Sequence, residues 1–170
     1  TKWWPMFRFA SNIGKTIDQR LNLLDPYPID LYQVHQPWSF SAETDEMNQM
    51  AELVNRKLIK AVGVSNFNAL KMENSWKTLQ KSGIPLASNQ VRYSLLDRKI
   101  ESNGVMDLAR KLGITIIAFS PLSQGLVTGK FHDNPVLLKN IGLRKYNPHF
   151  KPAGLEKSRP VVNLVKELAE

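Results

Sequence analysis

Polar side chains that could bind or protonate a ligand recur directly after apolar runs of this 170-residue chain. His35 ends the run DLYQVH, Ser65 and Asn66 follow IKAVGV, and Gln90 stands near the end of LASNQV. A histidine can transfer a proton or donate a hydrogen bond near neutral pH. Hydroxyl and amide groups suit a neutral amide ligand. Serine and asparagine are also ordinary turn residues, so residue type alone leaves both interpretations of Ser65 and Asn66 open.

A second group of candidate residues lies in the segment Phe119–Lys130. Its sequence, FSPLSQGLVTGK, combines hydroxyls, glycines and a lysine, and the backbone N–H groups of such a loop can surround phosphate oxygens. The segment matches neither G-x-G-x-x-G nor the P-loop pattern, because Phe131 follows the lysine. In the long stretch that follows, Arg144 and Lys145 could complement a phosphate or simply be solvated.

Strand-like and helical patterns alternate along the chain and must position these residues. Four strand-like runs begin 27 to 29 residues apart: Asp30–His35, Ile59–Ser65, Leu86–Val91 and Ile114–Ser120. Alternating strands and helices predict a parallel sheet, and the near-constant spacing favours a (β/α)8 barrel over an open sheet. We expect Thr1–Trp3 to end a fifth strand and residues 158–170 to form a helix. Trp3, Trp4 and Trp38 lie near strand ends and could line an apolar pocket or pack in the core.

Helical stripes fill the intervals between the predicted strands. They are Ile13, Ile17, Leu21 and Leu24, with Ser11 as the N-cap; Met47, Met50, Ala51, Val54 and Leu58; Leu70, Trp76 and Leu79; and Val105, Leu108, Ala109 and Leu112, ended by Gly113.

Composition limits the classes of function. The net charge is +8, and the excess of Lys and Arg lies in the C-terminal third of the chain. This distribution favours a solvated basic face first, a small anionic ligand second and a nucleic-acid surface third. No zinc-finger spacing or RNP-like pattern occurs, so we expect neither a nucleic-acid partner nor a metal. The absence of cysteine excludes disulfides, and the longest apolar stretch is too short for a membrane span.

Four blocks of the sequence carry a family resemblance: Asp30–Pro37 (DLYQVHQP), Lys60–Asn68 (KAVGVSNFN), Ile84–Arg98 (IPLASNQVRYSLLDR) and Ile117–Phe131 (IAFSPLSQGLVTGKF). In this order and spacing they resemble the aldo-keto reductases, and most closely the bacterial and plant branch near the potassium-channel beta subunits. The resemblance implies an α/β fold of the TIM-barrel type. It also implies an activity, the transfer of hydride between NADP(H) and a carbonyl. It also implies that residues 1–170 form a single incomplete barrel domain with about strands 3–7, lacking strands 1–2 and the region of strand 8.

The resemblance further implies the roles of individual residues. Lys2 and His35 match two of the four catalytic positions, and the family's Asp and Tyr correspond to positions before Thr1. Ser65, Asn66 and Gln90 match residues that bind the nicotinamide carboxamide. Phe119 matches the aromatic residue that stacks on the nicotinamide ring. The matches to the pyrophosphate loop are Ser120, Pro121, Leu122, Gln124 and Lys130, with Arg144 beyond it.

The predicted function is therefore NADP(H)-dependent reduction of aldehydes or ketones, small-molecule carbonyl substrates, by an enzyme of the cytoplasm or, alternatively, the plastid stroma. Two other possibilities stay open at this point: a non-catalytic NADPH-binding regulatory subunit, and an inactive fragment. A barrel cut to about five strands has two open edges, so we expect the 170-residue chain by itself to lack reductase activity. The residues do not indicate the substrate or the oligomeric state.

Overall fold

The computed structural model describes residues 1–169 and contains one five-stranded sheet, in the order β1-β2-β3-β4-β5. The strands are β1 (Lys2–Trp3), β2 (Leu31–Val34), β3 (Ala61–Ser65), β4 (Leu86–Arg92) and β5 (Thr115–Phe119). The pairs β1–β2, β2–β3 and β3–β4 are parallel, and the register places Lys2 opposite Gln33 and Ser65 opposite Gln90. The five predicted strands and their parallel arrangement are confirmed, and sequential order across the sheet is what repeated βαβ units produce.

The helices between the strands are α1 (Ser11–Lys15), α2 (Ile17–Leu24), α3 (Glu43–Asn55), α4 (Ala69–Gln80) and α5 (Val105–Leu112). The prediction of one helix capped by Ser11 is wrong, because Thr16 (φ −106°, ψ 2°) interrupts the helix and Ala10, without a side-chain hydrogen bond, holds the N-cap position. Gly113 does end α5, in the left-handed conformation that glycine adopts at little cost.

The first compact unit comprises residues 1–91 and 100–117, and its core lies between the sheet and the helices. Fully buried apolar side chains from both layers fill it, including Trp3, Tyr32, Val62, Met47, Met50 and Leu79. Each of the buried aliphatic and methionine side chains contributes roughly 1.5–3 kcal/mol relative to an exposed one. Leu24, predicted on the same helix face as Ile13 and Ile17, is exposed instead, so this segment buries a narrower stripe than the sequence indicates.

The second compact unit comprises residues 92–99 and the chain from Ala118 onward. Its segment after β5 is built of short helices and turns, followed by the helix expected near the end of the chain. It forms α6 (Lys130–Asp133), 3-10 turns at Pro135–Asn140, Gly142–Tyr146 and Pro148–Phe150, and then α7 (Pro152–Ala169). Their core is a cluster of Leu126, Phe131 and Phe150. The assignment of both units to a single barrel domain stays a prediction.

A search of residues 1–169 for a helix long and apolar enough to cross a membrane finds none.

Candidate active site

Lys2 lies in β1 and His35 directly follows β2, and the pairing of these neighbouring strands brings the two residues near the same end of the sheet. The backbone N–H of His35 donates to the carbonyl of Trp3 over 3.0 Å, which continues the β1–β2 pairing past the end of β2. The indole of Trp4 contacts the imidazole edge to face, with ring centroids 5.0 Å apart and planes inclined by 74°. Trp4 was not predicted to contact the histidine, and this contact restricts the orientation of the His35 ring.

The electrostatic environment of His35 favours its neutral form. Burial lowers the pKa of the imidazole, and the positive charge of Lys2 lowers it further. Burial also lowers the pKa of the Lys2 ammonium group. A neutral imidazole retains one N–H donor, which suits hydrogen bonding to a carbonyl oxygen.

Ser65, Asn66 and Gln90 form a connected network at the ends of β3 and β4. The Ser65 hydroxyl donates to the Gln90 carbonyl over 2.9 Å, and the Asn66 backbone N–H donates to the same carbonyl over 2.9 Å. The Asn66 side-chain NH2 donates to the Ser65 hydroxyl at 3.2 Å and to the carbonyl of His35 at 3.4 Å. The structure thus joins these three predicted residues to the backbone of His35.

This network leaves polar atoms for a ligand. Within residues 1–169, neither the side-chain oxygen of Asn66 nor the side-chain amide of Gln90 makes a hydrogen bond, and both residues are partly exposed. One acceptor and one complete amide are a complementary set for a carboxamide. The residues present therefore fit the amide of a nicotinamide cofactor.

The loop after β5 has a strained backbone. Ser120, Ser123 and Gln124 all have positive φ (53°, 48° and 58°), a region that residues other than glycine seldom occupy. The loop satisfies several of its own N–H groups, since Ser123 donates to Ser120 over 2.8 Å and Gly125 donates to Leu122 over 2.9 Å. Those two donors are engaged within the loop rather than offered to a phosphate.

The side chains of this loop remain the groups that could bind an anion. Lys130 is exposed, with its ammonium nitrogen 5.0 Å from the centre of the Phe131 ring. Gln124 is also exposed and its Oε1 accepts from Asn147 at 3.5 Å. Pro121 and Leu122 are exposed, and Ser120 is partly so.

Two other predicted cofactor-binding residues are placed as follows. Arg144 is exposed on the turn Gly142–Tyr146, and no hydrogen bond or ion pair links it to the loop within the described part of the chain. Phe119 is half-buried, and its carbonyl accepts from the Tyr93 N–H over 3.5 Å.

Three buried polar residues, Gln33, Ser88 and Glu46, were not predicted. The Gln33 side-chain NH2 donates to the Val64 carbonyl and to the Ser88 hydroxyl, each over 3.3 Å. Glu46 of α3 is buried, with one oxygen lacking a hydrogen-bond partner in the described residues. The helical spacing Glu46–Met50–Leu53 is the signal that could have placed this carboxyl on the buried face.

The chain belongs to the aldo/keto reductase family, which it matches over residues 1–170. It is 30% identical over 167 residues to the aldo-keto reductase YhdN of Bacillus subtilis (97% of this chain, 48% of that protein). It is 30% identical over 137 residues to the chloroplastic pyridoxal reductase of Arabidopsis thaliana (76% of this chain, 38% of that protein). The structure of a glycerol dehydrogenase from Gluconobacter oxydans superimposes with a TM-score of 0.81 at 28% identity, covering 96% of this chain and 48% of that one.

These comparisons confirm the family and the partial barrel expected from the sequence. The chain spans about half or less of the length of the curated relatives it matches. Because those relatives are oxidoreductases, the alternative of a non-catalytic regulatory subunit is not favoured. Aldo-keto reductases generally use NAD(P)H and act on small-molecule carbonyl compounds. The individual site residues stay predictions.

Proposed function

We propose that the whole protein reduces aldehydes or ketones to alcohols with NADP(H), and that Lys2 and His35 act at the substrate carbonyl. The observation that carries this proposal is that Lys2 lies in β1 and His35 directly follows the paired strand β2, where the charge of Lys2 lowers the pKa of His35 and favours its neutral form. A neutral donor beside a cation matches a site where negative charge develops on a carbonyl oxygen.

His35 would donate its remaining N–H to the carbonyl oxygen. This hydrogen bond polarises the C=O bond and strengthens as negative charge accumulates on the oxygen. The edge contact with Trp4 limits rotation of the imidazole, so the donor is oriented before substrate binds. A protonated imidazole would be repelled by the positive charge of Lys2. The lowered pKa of His35 reflects this repulsion and favours the neutral ring.

Lys2 would stabilise negative charge on the group that protonates the alcohol oxygen. In the proposal this group is a phenol supplied by the whole protein, and a neighbouring ammonium lowers the pKa of such a phenol. The partly buried position of Lys2 strengthens this effect, because the charge acts through a medium less polar than water.

The cofactor, when bound, supplies the hydride that the carbonyl carbon receives. Asn66 and Gln90 would hold its carboxamide, with Ser65 bracing them, and Phe119 would provide an aromatic face for its ring. Lys130 and Arg144 would contribute positive charge toward its phosphates. The proposal also includes NADP(H) as the cofactor in preference to NAD(H), a small-molecule carbonyl compound as the substrate, and a location in the cytoplasm or plastid stroma.

Oxidation of NADPH with a generic aldehyde tests the proposed activity in the whole protein. His35→Ala should lower kcat by about 10²–10⁴-fold, the usual contribution of a positioned proton donor, while the Kd for NADPH stays within about twofold. His149→Ala is the control, because His149 is exposed on a turn and has no proposed role. Turnover of the His35 variant at the wild-type level would remove its catalytic role.

Phe119→Ala tests the stacking role separately. We expect it to weaken NADPH binding by about tenfold, as loss of an aromatic contact does, and unchanged affinity would contradict that role. The inactivity of the 170-residue chain by itself also stays a prediction, checked by the same assay on that chain.

A further inference from the structure

Asn103 is followed by Gly104, and this is the only Asn-Gly pair in the 170-residue sequence. The side-chain carboxamide of an asparagine is an electrophile, and the backbone nitrogen of the next residue is the nearest nucleophile to it along the chain. Glycine has no Cβ, so its nitrogen is less shielded than that of other residues. The pair therefore combines the two groups that can close a succinimide ring.

A hydrogen bond orients the Asn103 side chain toward the backbone that follows it. The Val105 backbone N–H donates to Oδ1 of Asn103 over 3.2 Å. The ring of atoms closed by this hydrogen bond includes the Gly104 nitrogen, so the carboxamide carbon Cγ stays beside that nitrogen. A donor on the carbonyl oxygen also draws electron density from Cγ. The contact thus positions and activates the carbon that the nitrogen must attack.

The surroundings of the pair leave room for ring closure. Asn103 is exposed and lies between the 3-10 turn Lys99–Glu101 and α5, outside the helices and strands. Gly104 has φ of 83° and ψ of −8°. Among the described residues, a Cβ built on Gly104 would meet the Ala69 Cβ alone, at 3.6 Å. The Asn103 side chain is therefore accessible to water, and neighbouring side chains do not fill the space beside Gly104.

Two other asparagines make the same type of hydrogen bond but cannot close this ring. The Val136 N–H donates to Oδ1 of Asn134 over 3.2 Å, and the His149 N–H donates to Oδ1 of Asn147 over 3.1 Å. Each of these asparagines precedes a proline, whose nitrogen carries no hydrogen to lose and so cannot form a neutral imide. The nature of the following residue therefore separates Asn103 from the other two.

We propose that Asn103–Gly104 is a site of spontaneous modification, at which Asn103 loses its amide. The Gly104 nitrogen attacks Cγ of Asn103, a new N–C bond forms, and the Cγ–Nδ2 bond breaks as ammonia leaves with the proton of the Gly104 N–H. Water then opens the succinimide at either carbonyl and gives aspartate or isoaspartate. No oxidant or reductant takes part, because Cγ keeps its oxidation state and water is the only co-reactant.

The two products affect α5, which begins at Val105, in different ways. Aspartate keeps an oxygen that accepts from the Val105 N–H and adds a negative charge, which is favourable at a helix N-terminus. Isoaspartate carries the main chain through Cβ and Cγ, which lengthens the backbone and displaces the acceptor of this N–H. Because Val105 is buried, this displacement should loosen the first turn of α5.

Ageing of the whole protein at mildly alkaline pH, followed by trypsin digestion and mass spectrometry, tests the site. Trypsin isolates Asn103 in peptide 100–110, Asn134 in peptide 131–139 and Asn147 in peptide 146–157. We expect peptide 100–110 to gain forms with a carboxyl in place of the amide, while the other two peptides keep their amides. No conversion of Asn103, or equal conversion of all three asparagines, overturns the proposal.

Isoaspartate separates backbone attack from simple hydrolysis of the amide. Direct hydrolysis yields aspartate alone, whereas a succinimide yields both products. A protease that cuts before aspartate cleaves peptide 100–110 before Asp107 in every form, but before position 103 only in the aspartate product. The converted fraction that is not cut at position 103 therefore measures isoaspartate. Its absence would refute attack by the Gly104 nitrogen.

Asn103→Gln and Asn103→Asp are the matched controls. Glutamine keeps an amide, but its longer side chain must close a larger ring, so peptide 100–110 of this variant should stay unmodified over the same time. Asn103→Asp carries the carboxylate without isoaspartate, so amide hydrogen exchange in α5 should match that of the unaged wild type. The aged wild type should exchange faster, and equal exchange in the aged wild type and Asn103→Asp would overturn the loosening of α5.

Discussion

Glu46→Gln should stabilise the protein at alkaline pH and not at acid pH. Burial raises the pKa of the Glu46 carboxyl from 4.5 to about 7, and Glu43 and Asp45 add to this, while the Ser39 hydroxyl and Lys71 only partly oppose it. In the unfolded chain the carboxyl ionises at its ordinary pKa. As pH rises from 4.5 toward 7, the unfolded state loses its proton first, so the free energy of unfolding falls.

The size of the effect follows from the two pKa values. The difference between 4.5 and about 7, at about 1.4 kcal/mol per pKa unit, corresponds to about 3 kcal/mol, which is fully present above pH 7 and absent below pH 4.5. Glutamine has nearly the same shape and carries no charge, so the variant lacks this penalty. A domain is typically stable by only 5–15 kcal/mol, so a change of about 3 kcal/mol is readily measured.

Urea unfolding followed by tryptophan fluorescence is the assay. All four tryptophans, Trp3, Trp4, Trp38 and Trp76, lie in the compact unit that contains Glu46, so the signal reports on that unit. The stability difference between variant and wild type should be larger near pH 8 than near pH 5 by about 2.5 kcal/mol, because part of the penalty is already present at pH 5. Any pH-independent cost of burying an amide cancels in this comparison. The same difference at both pH values would refute the burial argument.

Glu43→Gln is the matched control, because Glu43 lies one turn earlier on α3 and its pKa is shifted in the opposite direction. Partial burial alone would raise the pKa of Glu43, but hydrogen bonds from Asn74, its own backbone and Lys71, with the Lys71 charge, lower it. Its stabilising contribution is present above its ordinary pKa and is lost as pH falls. This variant should therefore be less stable than the wild type near neutral pH, and the difference should shrink on acidification.

Two further predictions concern packing. Gly63→Ala should destabilise the protein by about 1–3 kcal/mol in urea unfolding, because its new Cβ would lie 2.5 Å from the Ser88 hydroxyl and 3.0 Å from the Gln33 side chain. The control is Gly14→Ala on a helix, where the new Cβ would lie 3.4 Å from the Gln49 side chain. This control variant should be neutral or stabilising. Ser158→Ala should lower the free energy of unfolding by about 1–3 kcal/mol, because the buried His132 ring loses its hydrogen bond of 2.9 Å to the Ser158 hydroxyl. Faster amide hydrogen exchange in α7 would show this loss, and unchanged protection would contradict it.

The strands could be predicted from the sequence because they are short apolar runs at a constant spacing, and tertiary packing reinforces that signal. The residues at which the helices begin and end were harder to predict from the sequence. The stripe through Ile13 and Ile17 is buried as predicted, yet the break at Thr16 arises from local geometry, where the Thr16 hydroxyl donates to the Asn12 carbonyl over 2.7 Å. The turns after β5 are held by a small core around Phe131, formed by contacts that no periodic pattern displays.

For the candidate site, the sequence indicated which residues follow the strands but not how they are connected. His35 and Asn66 were predicted from their positions, whereas the hydrogen bond between them depends on the register of β2, β3 and β4. Glu46 and the exposed rings of Phe7, Phe9 and Phe40 were missed for a shared reason. Each places a residue type against its usual environment, a carboxyl in the core or a phenylalanine in solvent, and sequence patterns assume the usual one.

Backbone strain locates the candidate sites independently of any family resemblance. Among residues 1–169, six residues other than glycine have positive φ, namely Phe7, Lys57, Asn66, Ser120, Ser123 and Gln124. Lys57 follows the last turn of α3, where left-handed residues commonly end helices. The other five lie in loops that directly follow β1, β3 and β5. In parallel βα repeats these are the loops that carry binding and catalytic residues, so their strained conformations agree with the prediction that they face a ligand.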